Sequence, residues 1–250
     1  MRTRGLIVTI VSSALAIVAL LAPAIGLAGP PFETDDPEPT GYRSYEFYLA
    51  AQYESDGDET LGAIPLVEVN YGLFRNVQFS IDAPLSFARE NGASVYGVGD
   101  VTLGLKIRFV QETRHGPQLA FYPLVVVPSG NAQLRVSASR LFLPLWAQKS
   151  FGHWTICGGG GLWTKSGAAA SSWWFTGVVL QYELPNKSTV GAEVIHSTQQ
   201  SGSSGGETAF NVGYVVPIGK THNVLLSFGR GFVGARSFAA YAAYRIQVSP

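Results

Sequence analysis

The sequence predicts an all-β fold, a closed antiparallel transmembrane β-barrel of about 12 strands, with ten and fourteen left open as counts. Three observations lead there: side chains alternate with period two along most of the chain, the links between the alternating runs differ in length by parity, and charge is scarce. Of 250 residues, 14% are charged and 12% aromatic, with 29 glycines and a formal net charge of zero. A soluble domain carries roughly 25% charged residues, so a solvated helical enzyme is excluded. The abundance of apolar residues excludes intrinsic disorder. A balanced charge offers no clustered basic surface for nucleic acid. The lone Cys157 excludes an internal disulfide framework and a thiolate zinc cluster.

Residues 1–28 read as a secretory signal peptide. Arg2 and Arg4 precede an uncharged run from Leu6 to Ala22, and Pro23 leads to the small-residue site Gly26-Leu27-Ala28. The alternative is an uncleaved anchor, because the apolar run approaches the length of a spanning helix. Removing Arg2 and Arg4 would leave 15 basic against 17 acidic groups. Residues 29–41 form a Pro- and acid-rich lead-in, with Pro30, Pro31, Pro37 and Pro39 beside Glu33, Asp35, Asp36 and Glu38. Proline removes backbone donors, so this stretch is expected to be irregular, and it is short enough to fold into a barrel lumen and narrow it.

Residues 42–250 are expected to make the barrel. Val101, Leu103, Leu105, Ile107 and Phe109 alternate with Thr102, Gly104, Lys106 and Arg108. A helix would scatter those charges round its circumference; a strand puts them on one face. Tyr45 to Tyr53, Val77 to Leu85 and Phe238 to Ile246 repeat the pattern. Candidate strands fall near 43–54, 61–72, 76–87, 99–110, 117–127, 139–150, 154–164, 172–183, 188–198, 207–217, 223–230 and 236–248. Links after even strands are tight, as at Leu73-Phe74-Arg75 and Phe151-Gly152-His153; those after odd strands, such as Ala88 to Val98 and Pro128 to Ala138, are generally longer. Short periplasmic turns and longer external loops have this asymmetry.

The polar face decides between a soluble sheet and a membrane barrel. Water-facing strands are rich in Lys and Glu, whereas here Gly, Ala, Ser, Thr, Gln and Tyr dominate, which suits a crowded lumen. Closure in lipid pairs every backbone group and turns the apolar faces to acyl chains. Lys149 must then lie near an interface, since a mid-bilayer Lys costs about 2–4 kcal/mol. Tyr45, Tyr53, Tyr71, Trp154, Trp174, Tyr182, Phe238 and Tyr244 gather toward strand ends as two aromatic girdles. Gly158 to Gly161 fit a sharp bend, a bulge or a close approach of another segment.

Certain words in the chain resemble one bacterial group. They are Phe32-x-Thr34-Asp35-Asp36-Pro37, Tyr96-Gly97-Val98-Gly99-Asp100-Val101-Thr102-Leu103-Gly104-Leu105-Lys106, and Gln148 through Gly160. The group is the outer-membrane family described as the MetA pathway of phenol degradation. The resemblance implies an outer-membrane barrel that transports small, including aromatic, compounds, and it brings no catalytic residues. The chain departs from common outer-membrane barrels by ending Val248-Ser249-Pro250 rather than on an aromatic.

Other chemistry is sparse. Gly229-Arg230-Gly231-Phe232-Val233-Gly234 spells a dinucleotide fingerprint, but a period-two run follows it where a helix is required. His115, His153, His196 and His222 are dispersed, so no metal site, cofactor or catalytic residue is expected. His196 and Ser197 are neighbours on a strand and therefore point to opposite faces. Asp56-Gly57-Asp58-Glu59 is too short for a complete calcium loop. The lumen-lining candidates are Glu46, Glu68, Asp82, Asp100, Lys106, Arg108, Glu183, Glu193 and Arg245. They would either rivet the interior as pairs or form a charged constriction favouring cations and neutral polar solutes. The expected function is passive passage of small molecules across the bacterial outer membrane, with outer-membrane lipids and small solutes as partners. The alternatives are a closed structural barrel with interaction loops and an ester or lipid hydrolase.

Overall fold

The computed structural model describes residues 29–250 apart from 57–58, 135, 137, 166–171, 199–205 and 235–236. The expected signal peptide, residues 1–28, and the centre of the acidic run at 56–59 lie outside the described residues. Among those described, the strands are β1 (Tyr45–Ser55), β2 (Glu59–Phe74), β3 (Val77–Glu90), β4 (Ala93–Val98), β5 (Val101–Val110), β6 (Gln118–Phe121), β7 (Leu124–Val127), β8 (Arg140–Phe151), β9 (Trp154–Lys165), β10 (Ser172–Glu183), β11 (Thr189–Ser197), β12 (Glu207–Ile218), β13 (His222–Val233) and β14 (Phe238–Val248).

These fourteen segments build twelve staves. β4 and β5 both lie along β3 and are one stave interrupted at Gly99-Asp100. β6 and β7 both lie between β5 and β8, and are one stave interrupted at Tyr122-Pro123, where proline has no N–H to give. Every pairing between these strands is antiparallel, and β14 pairs with β1 from Tyr45↔Val248 to Ser55↔Phe238, so the sheet has no first or last edge. Twelve was the expected count.

Alternation survives in the fold as an inside and an outside. On β1, Tyr45, Phe47 and Leu49 are exposed, while Tyr48 and Ala50 are buried between them. On β8, Leu143 and Leu145 face out and Phe142, Trp146 and Gln148 face in. The outer surface is thus apolar, with Leu145, Trp174 and Phe228 more than half exposed, as a lipid-facing wall requires. Outward aromatics pair near both rims: Tyr45 with Tyr71 and Trp154 with Tyr182 at the rim holding the termini, Tyr53 with Phe238 and Phe210 with Phe232 at the other. Lys149 reaches Glu112 in the 111–117 link at 2.6 Å, which puts it at a rim.

Two expectations need correction. The link expected over Ala88 to Val98 is almost all strand: β3 runs to Glu90, β4 starts at Ala93, and only Asn91-Gly92 turns. Both have positive φ (50° and 81°), the backbone that an Asn-Gly pair adopts readily in a two-residue hairpin. On that rim β7 ends at Val127 and β8 starts at Arg140, and β11 ends at Ser197 and β12 starts at Glu207, whereas the other rim also carries a long link, 111–117. The interior is also less polar than expected. Phe142, Trp146, Trp163, Trp173 and Phe175 form an inward aromatic slab, with Phe142 stacked on Trp163 at 4.6 Å and Trp163 on Trp173 at 5.7 Å. At 142–146, 158–163 and 173–175 strands β8 to β10 are apolar on both faces, so alternation could not separate their faces there by polarity.

Candidate functional site

The lumen is occupied by the lead-in, residues 29–41. Its four prolines cannot donate to a sheet, and the amides of Glu33, Thr34 and Thr40 are taken by wall side chains. Glu33 N and Thr34 N each donate at 2.9 Å to the two carboxylate oxygens of Glu193, which is fully buried on β11 and also accepts from Asn211 Nδ2 at 2.8 Å. Ser227 Oγ donates to the Pro31 carbonyl at 2.7 Å, and Thr40 N donates to Gln78 Oε1 at 2.8 Å. Phe32 fills a slot left by two glycines: a Cβ on Gly191 or on Gly213 would stand 2.6 Å from the Phe32 ring. Thr34 packs in the same way against Gly177. Replacing Gly213 by Leu is therefore expected to eject Phe32 and expose the lead-in to added protease, with the barrel itself remaining resistant; unchanged cleavage of the lead-in refutes the slot.

Charge holds the second half. Lys106, buried on β5, lies 3.0 Å from Asp35 and 3.4 Å from Asp36, with its Nζ 4.9 Å from the Tyr122 ring centroid. Arg108 sits 3.8 Å from Glu38 and donates to Asn76 and Gln118. Although its side chain opens onto a lumen cavity, desolvation inside the barrel raises the Glu33 carboxyl, with Glu193 beside it adding to the rise. Burial likewise raises Asp36 to about 7 against the opposing pull of Lys106.

The nine lumen candidates divide among distinct tasks. Glu193, Lys106 and Arg108 grip the lead-in. Glu46 accepts from Tyr48 Oη at 3.0 Å and Gln247 Nε2 at 2.8 Å, and Arg245 lies over the Tyr48 ring. Glu68 accepts from Asn70 at 2.7 Å and stands opposite Asp82 in the β2–β3 ladder. Asp100 accepts from Gly130 N at 2.9 Å and Val136 N at 2.6 Å, fastening the 128–139 link. Glu183 lies at the rim, 2.9 Å from Lys187, because it closes β10 just before a turn; it belongs to no constriction. Sequence reasoning missed Asp35, Asp36 and Glu38 as partners of the wall bases, and Gln78, Asn211 and Ser227 as anchors. The signal was available: two bases on the inward face of β5 and four acids in a segment unable to form a strand.

Space remains on both sides of the plug. A cavity of about 560 Å³ opens toward the rim where β1 ends and is lined by the carboxyl groups of Glu33, Glu54, Glu68, Asp82 and Asp100, with no Lys or Arg among its described lining residues. A second of about 220 Å³ lies toward the chain ends, around Asp35, Asp36, Lys106, Glu46 and Arg245. Pro30 and Glu68 line both, so the lead-in is the partition.

Other readings fare poorly. The glycine fingerprint at 229–234 lies at the end of β13, with no helix behind it. His196 Nδ1 pairs with Thr208 Oγ1 at 2.9 Å, while Ser197 faces a different cavity, so the two do not meet. No group of three potential metal ligands occurs among the described residues.

The family profile described as "Putative MetA-pathway of phenol degradation" matches residues 47–246. The chain belongs to this family. Among solved structures, this family member resembles the COG4313 outer membrane channel from Pseudomonas putida F1, with 15% identity, a TM-score of 0.70, and 89% of this chain and 100% of that one covered. It also resembles the KdgM porin, with 10% identity, a TM-score of 0.54 and coverages of 80% and 98%. The translocator domain of the autotransporter NalP from Neisseria meningitidis is similar too, with 12% identity, a TM-score of 0.54 and 96% of each chain covered. A comparison with curated protein sequences finds no match. At these identities the likenesses establish the outer-membrane barrel fold.

Proposed function

We propose that this barrel sits in the bacterial outer membrane and passes small molecules by diffusion through a lumen that the lead-in narrows. The observation that carries the reading is a pair of cavities divided by a loop-like partition rather than by packed wall. A partition held by side-chain contacts leaves the barrel intact when it shifts. The wider cavity is lined by carboxyl groups, and in a confined low-dielectric space those that are ionised attract cations and repel anions. The conduit is therefore expected to favour cations and neutral polar solutes. The family and its channel-like relatives support small molecules, including aromatic ones, as the solute class. Nothing in the lumen resembles a nucleotide site, which accords with passage down a gradient. The filled lumen also favours a second reading, a closed structural barrel.

Planar-bilayer conductance across a KCl gradient tests the reading. A weak cation preference is expected, and Glu68→Gln with Asp82→Asn should reduce it. Anion preference, or silence at every potential, overturns it. Liposome swelling with phenolic acids and with sugars separates the two readings, because a closed barrel gives no swelling with either.

A further inference from the structure

Lys106 is surrounded by more negative charge than it can match. It contacts both Asp35 and Asp36, and its side chain is 5% exposed against 20% and 13% for theirs. Two carboxyl groups share one ammonium in a confined space, so both can be ionised together only if a further cation joins them. Of the other ionisable groups lining this cavity, Arg245 adds a positive charge on the Glu46 and Tyr48 side, Glu38 pairs with Arg108, and Tyr48 and Tyr122 add no charge.

A further cation is at hand. Gly29 is buried, lines the same cavity, and turns back so that its N donates to Thr34 O at 3.2 Å while its own carbonyl accepts from Phe32 N at 3.0 Å. A Cβ on Gly29 would stand 3.1 Å from Asp35 Oδ1 and 3.3 Å from Asp36 Oδ2. With bonds of about 1.5 Å on either side of Cα, the Gly29 nitrogen lies within about 6 Å of both carboxylates. That is the range over which opposite charges stabilise one another. Residue 29 is also the first after Gly26-Leu27-Ala28, where a signal peptidase would cut.

We propose that the Ala28–Gly29 bond is hydrolysed during export and that the freed Gly29 ammonium becomes the second cation of the Lys106 site, pairing with Asp35 and Asp36 to lock the lead-in in the lumen. Hydrolysis consumes one water, breaks the Ala28–Gly29 C–N bond, and leaves a carboxylate on Ala28 and an ammonium on Gly29. As an uncleaved amide the same nitrogen carries no charge, so processing and plugging are one event.

The test uses the full chain expressed with its leader and purified from outer membranes in mild detergent. Intact mass should correspond to residues 29–250. The Gly29 amine is then labelled with an amine-reactive ester across a pH series, and the amino-terminal peptide is quantified by mass spectrometry beside a free peptide of residues 29–40. Near neutral pH, labelling of the folded barrel should be about tenfold slower than that of the peptide, because a pKa rise of one unit removes nine tenths of the free amine. The midpoint of its pH–rate profile should move up accordingly. In Asp35→Asn/Asp36→Asn the midpoint should return to that of the peptide, with heat-modifiable migration confirming a folded barrel. An amine that is merely occluded would be slowed at every pH with no movement of the midpoint. That result, a start other than Gly29, or a midpoint indifferent to the double substitution each overturns the proposal. None of these readouts depends on conductance, so the proposal stands or falls apart from the channel reading.

Discussion

Lys106→Met is expected to free the lead-in and open the lumen. The substitution leaves Asp35 and Asp36 facing each other in a buried site, and removing one partner of a buried ion pair costs about 3–5 kcal/mol. Since about 1.4 kcal/mol is tenfold in a population, the ratio of docked to undocked lead-in should fall by two orders of magnitude or more. The barrel does not depend on the pair, because the β3–β5 ladder beside Lys106 is made by backbone groups. The expected result is a folded, heat-modifiable barrel whose unitary conductance rises and whose lead-in is cleaved by added protease. Deleting residues 30–40 should raise solute uptake in the same direction. If conductance and swelling are unchanged in both variants, the lead-in is no partition and the account of the lumen fails.

Leu145→Arg is expected to destabilise the barrel itself. Leu145 is 56% exposed on the outer face of β8, between Phe121 and Gly160 on the flanking staves. An Arg at the bilayer midplane costs about 2–4 kcal/mol, falling to about 0–1 near an interface. Leu73→Arg, at the rim end of β2 beside Arg75, supplies the shallow control. Urea titration of the barrel refolded into lipid vesicles should therefore show a large loss for Leu145→Arg and a small one for Leu73→Arg. Equal losses at the two depths would mean that this face does not meet hydrocarbon. An aqueous surface would tolerate both.

These two expectations draw on information of different origin. The cost at Leu145 follows from a two-residue period that is visible in the chain, because neighbours on a strand must point opposite ways. The effect at Lys106 does not follow from any local pattern: Lys106 and Asp35 are separated by seventy residues and meet only because β5 curves round a closed lumen. Glu193 is a similar case. Its inward direction was readable from β11, but its use as a double acceptor for Glu33 N and Thr34 N depended on where the lead-in came to rest. The aromatic slab of Phe142, Trp163 and Trp173 was hidden for another reason, since strands apolar on both faces carry no alternation to read.

The sequence by itself determined most of the strands, the apolar outside and an amino-terminal stretch unable to join the sheet, because each depends on spacing between near neighbours or on proline's missing donor. Tertiary structure alone decided which inward charges grip the lead-in, which fasten a loop, and where space remains. Those outcomes depend on distances across the lumen, and such distances exist only once β14 has met β1.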